Sequence, residues 1–154
     1  GFLSIVQKKL SAAVRVPVLT SSLMQVSTVN TLLPDSKKAG ILTISKSTLS
    51  DAHLRAANVP SDTPIGTTED GAEFSRVILN DELQLNIELA RMDNINAALK
   101  MKTDYPELGA IILECTNMSP YAEAIQEAVE VPVFSIVNLV EWLHAGLKPK
   151  RFLS

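Results

Sequence analysis

The sequence predicts an α/β fold in which helices cover a mainly parallel sheet in three layers. Apolar strand-like segments alternate with helical segments along the chain, which is typical of parallel βαβ units. Four of the strand-like segments also end at or next to a hydroxyl or thiol residue and then lead into a helix. These segments are PVLT, ILTI, IILE and PVFS. The 154 residues, 46% of them hydrophobic, are enough for one well-buried domain.

In the first half of the chain, predicted helices and strands alternate up to a polar stretch. Residues 2–14 carry apolar side chains at helical spacing and predict an amphipathic helix. The elements predicted after it are a strand over 17–20, a helix over 21–33, a strand over 39–44, a helix over 47–58 and a short strand over 64–66. Residues 66–74, GTTEDGAEF, are the most polar stretch and predict a loop.

The second half contains the longest predicted helix and the most informative strand. Residues 75–79 fit a strand or a helix. Residues 81–102 predict a long helix, since Leu83, Ile87 and Ile95 recur at helical spacing. The remaining elements predicted are a buried strand over 110–114, a helix over 121–129, a strand over 132–135 and a helix over 136–147 that Pro149 ends.

The composition narrows the classes of partner and compartment. A net charge of −3 gives no electrostatic basis for binding nucleic acid or an anionic membrane. No apolar run approaches the roughly 18 residues that span a bilayer, and no signal-peptide pattern is visible. One cysteine excludes an internal disulfide framework and suits a reducing cytoplasm. His53 and His144 lie far apart in the sequence, so we expect no metal site.

Cys115, the only cysteine, follows the buried strand 110–114 and precedes a helical stretch. The carboxyl edge of a parallel sheet and the amino end of a helix both favour anion binding and catalysis. A helix amino terminus lowers the pKa of a thiol, whereas a nearby Glu114 carboxylate would raise it. The structural alternative is that Cys115 is a small buried apolar residue, as free cysteines usually are.

Hydroxyl residues follow the predicted strands, and parallel order brings the carboxyl ends of those strands to one edge. Hydroxyl groups together with free N–H groups at helix starts could hold a small anion without arginine. The alternative is that these residues are ordinary helix N-caps. The residues concerned are Thr20, Ser21, Ser22, Thr43, Ser45, Thr116 and Ser135.

The stretch GAIILECTNMSPYAEAI, followed by VPVFSIVNLV, resembles the aspartate/glutamate racemase superfamily. PVLTSSL and AGILTIS fit the same resemblance, which covers essentially the whole chain. It implies two similar α/β lobes related by a pseudo-twofold axis, with the active site between them. It also implies cysteine-mediated proton transfer at the carbon next to a carboxylate, without cofactor or metal. The substrate would be an amino acid or a related small acid, and a homodimer is expected.

The resemblance also assigns roles to individual residues. Cys115 matches the second of two catalytic cysteines, and Thr116 and Asn117 match residues that hold the substrate carboxylate. Thr43 and Ser45 match the other carboxylate-binding loop, with Ser21 and Ser22 as further contributors. Many amino-acid racemases have histidine or glutamate where this chain has Asn117, so aspartate or glutamate is not a specific expectation.

The first cysteine of the family pattern has no counterpart in the chain. The resemblance places it immediately before Gly1, at the end of a strand, so we interpret the chain as the back part of a longer protein with its opening strands missing. The implied division is residues 1–36 as the remainder of the first lobe, 37–131 as the second lobe, and 132–154 as a strand and helix that return to the first lobe.

Two other functions stay open at this point. A single-cysteine decarboxylase of the arylmalonate type needs only one thiol, which protonates the enediolate after carbon dioxide leaves. A truncated domain that binds a small acid without turnover is the non-enzymatic alternative. A sheet edge left bare by missing strands would also favour self-association.

Overall fold

A computed structural model describes residues 1–151 as a parallel four-stranded sheet with helices on both faces. The strands are β1 (Lys38–Thr43), β2 (Ile65–Thr67), β3 (Leu108–Leu113) and β4 (Val133–Phe134). Their order in the sheet is β2-β1-β3-β4, and every neighbouring pair is parallel. Parallel pairing places the carboxyl ends of β1 and β3 side by side, with Leu42 opposite Leu113.

Within residues 1–151, seven helices and three 3₁₀ segments connect and flank these strands. The helices are α1 (Gln7–Ala13), α2 (Val26–Leu32), α3 (Asp51–Ala56), α4 (Phe74–Leu79), α5 (Ile87–Asp104), α6 (Ala122–Val129) and α7 (Ile136–Leu147). The 3₁₀ segments are Phe2–Val6, Ser22–Gln25 and Thr116–Tyr121. The last of these separates Cys115 from α6.

Two apolar clusters on opposite faces of the sheet confirm the three-layer α/β fold. On one face, Ile41, Ala110 and Ile112 pack with side chains of α2 and with Val59. On the other face, Leu42, Ile111 and Leu113 pack with side chains of α4, α5 and α6. Successive strand residues point to opposite faces, and this alternation explains why both faces carry apolar side chains.

The predicted strand over residues 17–20 is wrong, because this segment has no partner strand among residues 1–151. Pro17 has no backbone N–H to offer a ladder. The side chain of Gln7 contacts the segment instead. Its Nε2 donates to the Val18 carbonyl oxygen over 2.9 Å, and its Oε1 accepts from Thr20 Oγ1 over 2.6 Å.

Two predicted helices begin later than expected. The long helix starts at Ile87, because Asp81 has a left-handed φ of 53° and Asn86 caps the helix by accepting from the Leu89 N–H. Leu83, which helical spacing placed on the inner face, is fully exposed. The helix expected from residue 47 is α3, which starts at Asp51 after the capping residue Ser50.

The other predicted elements are confirmed within a few residues, including the short strand β2 and the closing helix α7. The ambiguous stretch 75–79 is helical. The assignment of residues to two lobes stays a prediction, and residues 152–154 of its last segment lie outside the described part of the chain. No helix within residues 1–151 has the length and apolar character needed to cross a membrane.

Candidate functional site

The carboxyl ends of β1 and β3 place a buried hydroxyl beside a buried carboxylate. Thr43 and Glu114 are 1% and 4% exposed, and Thr43 Oγ1 donates to Glu114 Oε2 over 2.9 Å. The Glu114 N–H continues the sheet by donating to the Leu42 carbonyl oxygen over 2.9 Å. Glu114 follows Ala110 and Ile112 in the strand alternation, so its side chain lies on the α2 face.

The 3₁₀ segment Ser22–Gln25 closes this end of the sheet on the α2 face. The buried Ser22 hydroxyl donates to the Leu113 carbonyl oxygen over 2.7 Å. Ser21, also buried, is an N-cap, and its Oγ accepts from the Leu23 N–H over 3.2 Å. In this structure both predicted binding residues are therefore occupied by contacts within the chain.

Cys115 is half-buried and lies on the other face, where it packs against the α5 and α6 cluster. Burial raises the pKa of its thiol above the ordinary value, the Asn117 N–H opposes that shift, and the negative charge of Glu114 adds to it. The net direction is opposite to the one expected from a helix amino terminus, because burial outweighs the Asn117 donor, and it favours the neutral thiol. A 3₁₀ segment, and not α6, follows the cysteine directly.

The residues after Cys115 form the outer surface of this site. Thr116 and Asn117 are both exposed, and the Met118 N–H donates to the Cys115 carbonyl oxygen over 3.1 Å. The hydroxyl of Ser119 is buried without a hydrogen-bond partner in the described part of the chain. Ser119 lines an open hollow of about 490 Å³ that Ser135 also lines.

Ser45 lies two residues beyond Thr43, and its hydroxyl donates a hydrogen bond to Glu69. Ser45 is 3% exposed and donates to Glu69 Oε1 over 2.8 Å. Partial burial raises the pKa of Glu69, but hydrogen bonds from Ser45, Lys46, Ser47 and Thr67 outweigh it and lower this pKa from 4.5 to about 2. A carboxylate of the chain thus lies where the sequence predicted a bound one.

Gly1 lies against the same end of β3. Its nitrogen is 3.4 Å from the Glu114 carbonyl oxygen and also contacts the Glu114 carboxylate. The neighbouring 3₁₀ segment is held on α3, where Ser4 Oγ donates to the His53 carbonyl oxygen over 3.0 Å. The first described residue is therefore placed beside the residue that precedes Cys115.

The structure brings most of the predicted site residues to one edge of the sheet, at the ends of β1 and β3. Their roles in binding a substrate stay predictions. Neither Glu69 nor the pairing of Glu114 with Thr43 was predicted from the sequence. Glu69 lies in the most polar stretch, three residues after a predicted strand, and this position was the available indication. Within residues 1–151, no group of three potential ligands is arranged to hold a metal ion.

Comparison with known proteins supports the α/β fold. No protein-family profile matches the sequence. The structure is similar to that of allantoin racemase from Pseudomonas fluorescens, with a TM-score of 0.51 and 14% sequence identity. The match covers 86% of this chain and 60% of the racemase chain, so the chain spans less than two thirds of its structural neighbour. At this identity the similarity shows a shared racemase-like α/β fold.

A short sequence match points to a second protein. Dimethylsulfoniopropionate lyase 5 from Emiliania huxleyi (strain CCMP1516) is 39% identical over 41 residues. That segment is 27% of this chain and 8% of the lyase.

Proposed function

We propose that the chain is part of a cofactor-independent racemase or isomerase that transfers protons at the carbon next to a carboxylate or similar group. The observation that carries this proposal is the position of Cys115 at the carboxyl end of β3, in a fold similar to that of a racemase. The substrate class is an amino acid or related small acid. Thr43, Ser45, Thr116 and Asn117 are proposed to hold its carboxylate, with Ser21 and Ser22 as supporting residues.

The chemistry assigned to Cys115 follows from its protonation state. A thiol whose pKa is raised holds its proton at neutral pH, so Cys115 is suited to give a proton to a carbanion. A racemase also needs a base on the opposite face of the reacting carbon. The family resemblance assigns this base to a second cysteine that the 154 residues do not contain, and we keep that assignment as a proposal.

The reaction also needs stabilisation of the negative charge that develops when the α-proton leaves. Preorganised donors provide such stabilisation most effectively where water is excluded. The backbone N–H of Asn117 lies close enough to affect the pKa of the Cys115 thiol. We propose that the start of the 3₁₀ segment Thr116–Tyr121 directs its N–H groups at the substrate carboxylate.

A second candidate function is a lyase reaction that starts with the same proton removal, and the 41-residue match favours it. Removal of the α-proton of dimethylsulfoniopropionate would form a carbon–carbon double bond as the β-carbon–sulfur bond breaks. The electron pair of that bond leaves with dimethyl sulfide, and acrylate remains. Both candidate functions therefore need a base at the α-carbon and donors for the carboxylate, and they differ in the leaving group.

The test is incorporation of deuterium at the α-carbon in heavy water, by exchange or after decarboxylation, measured by mass spectrometry. The substrates are aspartate, glutamate, allantoin, a disubstituted malonate and dimethylsulfoniopropionate, and the protein is the form that its host produces. We expect deuterium at the α-carbon of at least one of them, and its loss in Cys115→Ser. Exchange that is undiminished in Cys115→Ser would remove Cys115 from the mechanism. Release of dimethyl sulfide would select the lyase, and carbon dioxide would select the decarboxylase.

A further inference from the structure

Four hydrogen-bond donors at the carboxyl edge of the sheet surround the Glu69 carboxylate. Oε1 accepts from Ser45 Oγ over 2.8 Å and from Ser47 Oγ over 2.9 Å. Oε2 accepts from the Lys46 backbone N–H over 2.9 Å and from Thr67 Oγ1 over 3.0 Å. We call these four donors the hydroxyl cradle. Each carboxylate oxygen receives two hydrogen bonds, so the cradle matches a carboxylate in number and arrangement of donors.

The sheet and its connections hold the cradle residues independently of Glu69. The donors come from the ends of the neighbouring strands β1 and β2, which pair through Thr43 and Thr67. The Ser45 carbonyl oxygen accepts from Thr48 Oγ1 over 3.3 Å, and Lys46 Nζ donates to the Ile65 carbonyl oxygen over 3.2 Å. We infer from these contacts that the backbone of the cradle keeps its place when the Glu69 side chain turns away.

Glu69 itself is exposed and is held only through its side chain and a local turn. The residue before it is fixed, because the Thr68 N–H donates to the Thr43 carbonyl oxygen over 3.1 Å and its hydroxyl contacts Ser75 Oγ at 2.9 Å. Rotation of the Glu69 side chain alone would therefore return its carboxylate to water. Within residues 1–151, no lysine or arginine forms an ion pair with Glu69.

We propose that the hydroxyl cradle binds the carboxylate of a small acid and that Glu69 is a built-in competitor, which the incoming acid displaces. This inference rests on the proposed function and deepens it, since it adds Lys46, Ser47 and Thr67 to the carboxylate-binding residues and assigns control of access to Glu69. The four neutral donors contact only the two carboxylate oxygens and read no other part of a ligand. The ligand class that we propose is therefore defined by its carboxylate, as in a small organic acid.

Competition by a tethered group lowers the apparent affinity in proportion to the fraction of time that the site is open. If Glu69 fills the cradle about nine-tenths of the time, an external acid binds about tenfold more weakly than to an open cradle. The low pKa of Glu69, about 2, keeps this competitor charged throughout the pH range in which the protein would work.

The experiment is a titration of the 154-residue chain with acetate at constant ionic strength, with sodium chloride as the balance. The backbone N–H of Lys46, followed by NMR, reports on the cradle directly. The variant Glu69→Ala removes the competitor. The matched control is Asp70→Ala, which removes the neighbouring exposed carboxylate from the same loop.

We expect Glu69→Ala to bind acetate at least about tenfold more tightly than the wild type, with Asp70→Ala unchanged. Glu69→Gln keeps the length of the side chain and loses its charge, so it should bind acetate more tightly than the wild type even if Glu69→Ala is poorly folded. Equal acetate affinities in the Glu69 variants and Asp70→Ala would overturn the proposal, as would shifts confined to other parts of the chain.

The result that would contradict the proposed function differs from the one that would contradict the cradle. Cys115→Ser in the Glu69→Ala background should keep the acetate affinity, because Cys115 is not a cradle donor. If α-proton exchange is independent of Cys115 while acetate still binds the cradle, the cysteine mechanism is wrong and the cradle stands. If α-proton exchange needs Cys115 while the acetate affinity is the same with and without Glu69, the cradle proposal is wrong and the cysteine mechanism stands.

Discussion

Replacing Thr43 by valine tests the buried hydrogen bond on which the geometry of the site depends. The side chains have nearly the same shape, so Thr43→Val removes the hydroxyl that donates to Glu114 Oε2 and leaves little cavity. A hydrogen bond to a charged group contributes about 1.5–3 kcal/mol. Because both residues are almost fully buried, water cannot replace the lost donor, and we expect the free energy of unfolding to fall by that amount.

Urea unfolding at pH 7 measures this loss, and an unchanged m value would show that the unfolded state is the same. Thr31→Val is the matched control. The Thr31 hydroxyl is exposed and donates to the Thr28 carbonyl oxygen within α2, over 2.7 Å. Its removal should change stability by no more than about 0.5 kcal/mol.

A double-mutant cycle isolates the charge-assisted part of the interaction. In a Glu114→Gln background the hydroxyl would donate to a neutral amide oxygen, so Thr43→Val should cost only about 0.5–1.5 kcal/mol. Equal losses in the two backgrounds would show that the charge of Glu114 contributes nothing. A loss no larger than that of Thr31→Val would refute the whole argument.

Two further predictions concern the thiol and the packing of the sheet edge. The rate of alkylation of Cys115 by iodoacetamide should rise with pH at a higher midpoint than in the same chain unfolded in urea, because burial raises the thiol pKa and only the thiolate reacts. Glu114→Gln should move that midpoint down, and a midpoint below that of the unfolded chain would contradict the structure. Gly66→Ala should lose about 1–3 kcal/mol in urea unfolding, since the added Cβ would overlap Met101, which is 1% exposed. Gly146→Ala is its control in α7, where an added Cβ meets no atom within 4 Å, and should gain about 0.5–1 kcal/mol; similar changes in both variants would refute the packing argument.

The fold was predictable where a local pattern is decisive. The apolar run after Gly109 forms β3, and the segment after Lys38 forms β1, because buried parallel strands need apolar residues on both faces. The segment PVLT also carries apolar residues before a hydroxyl residue, but it pairs with no strand among residues 1–151. A strand depends on its partner, which the sequence of the segment cannot provide. The prediction that Leu83 lies in the long helix was wrong for a similar reason. Its spacing in the sequence fits a helix, but the backbone turns at Asp81.

The site was predictable in its hydroxyl groups and not in its carboxylates. Strand ends in a parallel sheet meet at one edge, so the position of Thr43 and Ser45 followed from the order of elements. Their acceptors are Glu114 and Glu69, which lie 71 and 24 residues further along the chain. Only tertiary packing selects these pairs from the many acids of the chain.

The surroundings of Cys115 bear on the part that it would play in the proposed proton transfer. Burial and the negative charge of Glu114 raise the pKa of the thiol, and a substrate carboxylate bound nearby would add a second negative charge in the same direction. Binding would therefore strengthen the hold of Cys115 on its proton, which suits an acid that protonates the carbanion from one face. Under the proposed function, Cys115 would give its proton to the carbanion in one direction of the racemisation and, as a thiolate, remove it in the other. A raised pKa makes the thiolate scarcer and also more basic, so it favours the direction in which Cys115 acts as the acid.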